Sequence, residues 1–108
     1  MELPTEIFGD VIVVHTPEEL GEDQANQLEN YLTTLERSRV VVDLDGTENI
    51  DSAGLTALLE AQDLLRGIDG DVKVYTSNLA NRKIFEITRL DQQLEVFESV
   101  IDAVKSFA

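Results

Sequence analysis

Three groups of residues have types and spacing that could do chemistry. The first is Asp51-Ser52, set just before a run in which Leu55, Leu58, Leu59, Gln62 and Leu65 recur at helical intervals. Asp and Ser cap helix starts, because a short side-chain oxygen accepts from the unpaired N–H groups of the first turn. A hydroxyl there also lies at the positive end of the helix dipole, which stabilises an added phosphate. The pair therefore reads either as a plain cap or as a capped modification site. The second group is the single histidine, His15, which with Ser52 and one of the many Asp could form a hydrolytic relay. No G-x-S-x-G elbow accompanies it, so His15 reads as a half-buried strand end. The third is Asp43-Leu44-Asp45-Gly46, whose residue types suit calcium. The glycine is misplaced for an EF-hand, and the twelfth position is Gly54 where a glutamate is required.

Other chemistries lack their residues. No phosphate-loop or dinucleotide-binding glycine motif occurs. The absence of cysteine excludes a disulfide framework, a thiol nucleophile and a thiolate metal site. The expectation is a protein that is not an enzyme and uses no cofactor and no metal. The 22 acidic and 8 basic residues give a net charge of −14. That charge repels nucleic-acid phosphates and anionic membranes, and it steers in partners with basic patches. No run of about 18 apolar residues could span a membrane, and no basic stretch leads an apolar one as in a secretory signal. A cytoplasmic protein with no direct nucleic-acid contact is expected. With 108 residues, 43% of them hydrophobic, one domain over residues 1–108 is the expected organisation.

The elements that must position Ser52 follow from hydrophobic period and turn residues. Ile7-Phe8 and Val11 to Val14 read as a hairpin bent at Gly9-Asp10. Glu18 to Glu36 carries a stripe through Leu20, Leu28, Leu32 and Leu35, with Pro17 near its first position. Gly21 is out of place so early in a helix and admits a start nearer Glu22. Val40-Val41-Val42-Asp43-Leu44 is apolar on both faces and reads as a central strand. The helix opened by Asp51-Ser52 runs to Arg66, with Gly67 as its terminator. Val72 to Thr76 alternates and reads as a half-exposed strand. A helix capped by Ser77 or Asn78 follows, turning Leu79, Ile84, Phe85 and Ile87 inward, then a short edge strand within Leu94 to Phe97 and a last helix over Glu98 to Phe107. Strands alternating with helices predict an α/β fold with a four- to five-stranded, mixed but largely parallel sheet and about four helices. Ser52 then lies at the strands' carboxyl ends, where such sheets gather ligands. Thr16 to Asp23, Glu48 to Leu55 and Ser77 to Lys83 are expected to share that end as a partner face.

Asp51-Ser52-Ala53-Gly54-Leu55, following an apolar strand that ends in an Asp, resembles the STAS family of bacterial anti-sigma-factor antagonists. Glu19 to Leu28 is similar to that family's ELDxxTAxxL segment, and Ile84 through Leu90-Asp91 to Val96-Phe97 and Ala103 is similar to its closing elements. The resemblance covers almost the whole chain and implies a STAS domain. It implies phosphorylation at Ser52 by an anti-sigma factor of the serine-kinase type and reversal by a matching phosphatase. It further implies that the unmodified chain sequesters the anti-sigma factor, regulating transcription indirectly. The implied partner-binding residues are Asp51, Ser52, Ala53, Gly54 and Leu55, with Glu22 and Asp23 in the ELD segment, where Gly21 stands at the family's aspartate. Arg89 stands where the family often has glycine. The same resemblance admits a regulatory STAS subunit of a lipid-transport ABC ATPase as the alternative.

Overall fold

At Gly9-Asp10 the chain doubles back, and Gly9 takes a left-handed φ of 64° that side-chain-bearing residues avoid. The bend pairs β1 (Thr5–Phe8) antiparallel to β2 (Val11–His15) in this computed structural model, which describes residues 1–108. From there the pairing is parallel. β4 (Arg39–Asp43) joins β2, β6 (Asp71–Tyr75) joins β4, and the two-residue β7 (Val96–Phe97) closes the edge. The five-stranded sheet has the order β1-β2-β4-β6-β7. The α/β class and the mixed, largely parallel sheet agree with the sequence reading.

Alternation sends neighbouring strand residues to opposite faces. Ile12, Val14, Val40, Val42, Val72 and Val74 face the main core, beneath the three helices α1 (Glu22–Thr34), α2 (Ser52–Arg66) and α3 (Leu79–Ile87). Val11, Val13 and Val41 face the other way and are covered by Ala103 on α4 (Val100–Lys105). Burial on both faces explains the unbroken valine run at the centre.

Several boundaries differ from the sequence reading, each for a local reason. Lys73 makes β6 look half-exposed, yet β6 is an interior strand and Lys73 is only 8% exposed. Its alkyl stem crosses the α4 layer, and its ammonium donates to the Ser106 hydroxyl at 2.8 Å, over the Phe107 ring at 4.6 Å. Phe85 is buried as expected and Ile84 is half-buried, but Leu79 and Ile87, also expected inward, are exposed, and the second residue that α3 buries is Asn81. Asn78, not Ser77, caps α3. Gly67 ends α2 in right-handed geometry, and the left-handed residue of that turn is Asp69, with φ 63°. The last helix is shorter than expected and is capped by Ser99.

The largest difference lies before α1. Glu19-Leu20 is not helical but a two-residue strand, β3, paired in parallel with β5 (Asn49–Ile50). Pro17 therefore precedes a strand and not a helix, and α1 begins after Gly21. Leu20 is fully buried in this small ladder. The helix ends at Thr34, two residues before the expected Glu36.

Candidate functional site

The ladder of β3 and β5 decides where two helices begin. Its parallel strands end at Leu20 and Ile50, so α1 and α2 start side by side, each after one intervening residue. Asp51 serves both starts. Its Oδ1 accepts from Ala53 N at 2.9 Å and Gly54 N at 3.1 Å, capping α2. Its Oδ2 accepts from Glu22 N at 3.3 Å, the first amide of α1. One carboxylate thus accepts hydrogen bonds at the amino-terminal ends of two helices. We expect Asp51→Ala to cost about 1–2 kcal/mol in urea unfolding, and Asp51→Asn, which keeps an acceptor, to cost clearly less.

Gly21 follows from the same geometry. A Cβ on it would come 2.8 Å from Asp51 Oδ2, against the very oxygen that caps α1. The position that holds aspartate in the resembled segment is here kept bare, and the α1 cap is supplied from across the ladder. Gln24 Oε1 completes the start by accepting from Gly21 N at 3.0 Å.

Ser52 is the first residue of α2 and is exposed. Because Asp51 does the capping, the Ser52 hydroxyl is not needed to hold the helix. It lies in a shallow groove between α1 and α2 with Ala25, Asn26, Ala53 and Thr56. At this groove Glu29 shares a hydrogen bond with Glu60; that bond first, then burial and the Glu60 charge, raises the Glu29 carboxyl above its ordinary value. Beside Ser52 opens an acidic depression lined by Glu19, Glu22, Asp23, Glu48 and Asp51, with Ile50 and Ile84 at its apolar margin. Glu22 borders both groove and depression.

Of the residues expected at the partner face, the structure brings Glu22, Asp23, Asp51 and Ser52 together on the surface, with Ala53 half-buried. Gly54 and Leu55 turn inward. Leu55 joins the main core, and Gly54 lies so close to the Leu20 carbonyl that an added Cβ would collide with it. Of the two uses considered for this glycine, close internal packing is the one with a visible contact.

The loops at this end are cross-tied. Thr47 Oγ1 donates to Pro17 O at 2.6 Å and lies 2.5 Å from the Thr16 hydroxyl. The buried Asn81 of α3 donates from Nδ2 to Thr47 O at 2.9 Å and Leu44 O at 3.3 Å. Sequence reading missed Thr47 and Asn81, which fall in no periodic pattern. The three segments expected to share one end of the sheet do share it.

The Asp43–Gly46 and His15 constellations are both engaged within the fold. Asp43 Oδ2 pairs with His15 Nδ1 at 2.9 Å, and Glu6 Oε1 pairs with its Nε2 at 2.7 Å. Both imidazole nitrogens are therefore taken by carboxylates, and neither is paired with Ser52. Asp45 accepts from Ser77 N at 2.6 Å and from the Ser77 hydroxyl at 2.9 Å. Burial pushes the Asp45 carboxyl up, but the Ser77 N–H with the Tyr75, Ser77 and Thr76 hydroxyls outweighs it, leaving the group below its ordinary value of 3.8. The resulting stability is complete above pH 3.8 and is lost as pH falls through the lower folded value. Acid titration of the unfolding midpoint is expected to show a shallower acid slope for Asp45→Asn than for wild type.

Comparison with known proteins adds the family. The STAS domain family model matches residues 2–103. The chain belongs to the STAS domain family. No curated protein matches its sequence. Among solved structures, this STAS chain is similar to an anti-sigma factor antagonist from Mycobacterium paratuberculosis, at 24% identity and TM-score 0.84, over 97% of this chain and 92% of that one. It is similar to the Bacillus cell fate determinant SpoIIAA in its phosphorylated form, at 15% identity and TM-score 0.71, over 99% and 100% of the two chains. It is also similar to a sulfate transporter family protein from Wolinella succinogenes, at 15% identity and TM-score 0.79, over 94% and 87%. These likenesses are of fold. A STAS fold shared by an antagonist and a transporter-family protein leaves function to be argued from the site. No helix of the chain is long and apolar enough to cross a membrane.

Proposed function

We propose that this STAS domain, spanning residues 1–108, is a cytoplasmic anti-sigma-factor antagonist, a binding switch and not an enzyme. In its unmodified state it sequesters an anti-sigma factor that is itself a serine kinase; phosphorylation of Ser52 releases that partner, and a phosphatase resets it. The observation that carries this reading is the position of Ser52: exposed, first in α2, and relieved of capping by Asp51. Such a hydroxyl can be modified without dismantling the helix beneath it.

A phosphate there adds about −1.5 to −2 charges. Within the domain the α2 dipole partly offsets that charge. Across an interface it would be desolvated next to Asp51, in a groove whose charged lining residues, Glu22, Glu29 and Glu60, are all acidic. Modification thus acts on docking and leaves the fold standing. The alternative, a regulatory subunit of a lipid-transport ABC ATPase, gains no support from a phosphorylatable helix start.

The test is incubation with ATP and a purified serine-kinase anti-sigma factor from the same genome, followed by mass spectrometry. A single phosphate on Ser52, absent from Ser52→Ala, is expected. No transfer, or transfer to another residue, would refute the assignment. Co-purification with an ABC ATPase in place of a kinase would favour the alternative.

A further inference from the structure

A helix start ordinarily draws its side-chain cap from its own N-cap residue. Helix α1 borrows its cap from the helix beside it. Gly21 stands at its N-cap with no side chain to offer, and the first amide of the helix, Glu22 N, donates to Asp51 Oδ2 at 3.3 Å. Asp51 also caps α2 through Oδ1, at 2.9 Å to Ala53 N and 3.1 Å to Gly54 N. Of these three bonds the one to α1 is the longest, and it alone reaches a different helix. The next residue in the chain is Ser52. The side chain that caps α1 is therefore the immediate neighbour of the hydroxyl that the proposed function marks for phosphate.

We infer that Asp51 is a relay: phosphate on Ser52 loosens the first turn of α1 while α2 keeps its cap. The inference rests on the proposed function and adds an internal consequence of the modification, separate from any docking. A dianion on Ser52 is one residue from the Asp51 carboxylate. The two charges lie within one Debye length of each other, about 8 Å at physiological salt, and repel. Oδ1 is held by two amides of α2 and stays. Oδ2 is held by a single longer bond and yields first. The phosphate is not drawn across to replace it, because the groove between Ser52 and α1 is lined by the acidic side chains Glu22, Glu29 and Glu60. Beyond Glu22, Gln24 N and Ala25 N donate to Gly21 O at 3.1 and 2.9 Å, and this turn frays once Glu22 is released. A side chain on Gly21 would break the relay, since its Cβ would stand 2.8 Å from Asp51 Oδ2.

The test is amide hydrogen exchange, read by NMR on the full chain, unmodified and with Ser52 introduced as phosphoserine during synthesis, so that no kinase is needed. In the phosphorylated chain the Glu22 and Ala25 amides are expected to exchange about two- to tenfold faster, the scale of one net hydrogen bond. Ala53 and Gly54 should keep their protection. Two variants fix the route. Asp51→Asn offers one acceptor where aspartate offers two, and Gly21→Ser gives α1 a cap of its own. In either variant, phosphate should leave exchange at Glu22 and Ala25 unchanged. No phosphate effect in the wild type, slower exchange at Glu22, or the same acceleration in Asp51→Asn would overturn the inference. The proposed function would survive each of these results, because kinase transfer to Ser52 is read separately by mass spectrometry.

Discussion

Ser52→Asp is expected to weaken binding of the anti-sigma factor about a hundredfold or more while the unfolding midpoint moves by less than about 0.5 kcal/mol. The two halves of this expectation have different causes. Within the domain, the substituted carboxylate stands in the first turn of α2, where the helix dipole favours a negative charge by about 0.3–1 kcal/mol. Repulsion from the neighbouring Asp51 opposes it, and both groups are exposed, so the balance is small. In the proposed complex the same carboxylate would be desolvated next to Asp51, in the groove that also holds Glu22, Glu29 and Glu60. An unpaired charge buried at an interface costs about 3–5 kcal/mol, which sets the hundredfold scale. Ser52→Ala should bind like the unmodified chain. Calorimetric titration for binding and urea unfolding for stability separate the two effects; unfolding by Ser52→Asp would show that the hydroxyl is structural.

The second large effect concerns a residue buried against β3. Gly54→Ala is expected to destabilise the domain by about 2–3 kcal/mol, lowering the thermal midpoint by about 10 °C. An alanine ordinarily strengthens a helix by up to about 1 kcal/mol over glycine. Here the Cβ meets the Leu20 carbonyl oxygen and carbon, both fixed in the β3–β5 ladder. Relief requires α2 to move away from β3, which opens the shared start of the two helices and disturbs the Asp51 double cap. Gly46→Ala is the control, since its Cβ would lie 3.6 Å from Thr16 O, an ordinary contact. Gly54→Ala should also weaken partner binding, and in proportion to the misplaced Asp51-Ser52 start. A Gly54→Ala protein as stable as wild type would mean that the contact with Leu20 is not what holds α2 in place.

The parts of the fold that were legible in the sequence are those with a period or a punctuating residue. The valine runs of β2 and β4, the leucine interval of α2 and the glycine at the first bend each carry such a signal. Two-residue strands carry none. β3 and β5 are defined by the pairing of Glu19 with Asn49 and Leu20 with Ile50, contacts between segments 30 residues apart. Leu20 also continues the α1 leucine stripe in register, so helical periodicity absorbed it; Gly21 was the local sign of the break. Lys73 misled because a charged residue among valines reads as a solvent face, whereas a ring and a helix end take it up inside.

At the site, Asp51 as a cap and Ser52 as an accessible hydroxyl were legible from residue type and from the helix that follows. That Asp51 caps two helices was not, because Glu22 is remote in sequence and contributes only a backbone amide. The inward turn of Gly54 and Leu55 was likewise hidden: a five-residue motif does not say which of its members face the core. Leu79 and Ile87 were read as core with Phe85 because aliphatic residues at helical spacing usually are; Phe85 is core, and the polar Asn81 is buried with it.

The most direct test is the affinity of one serine-kinase anti-sigma factor for two preparations of this chain, unmodified and fully phosphorylated on Ser52, measured side by side by calorimetry. The account predicts tight binding of the first, at least about a hundredfold weaker binding of the second, and recovery after phosphatase treatment. Equal affinity for both preparations would contradict it.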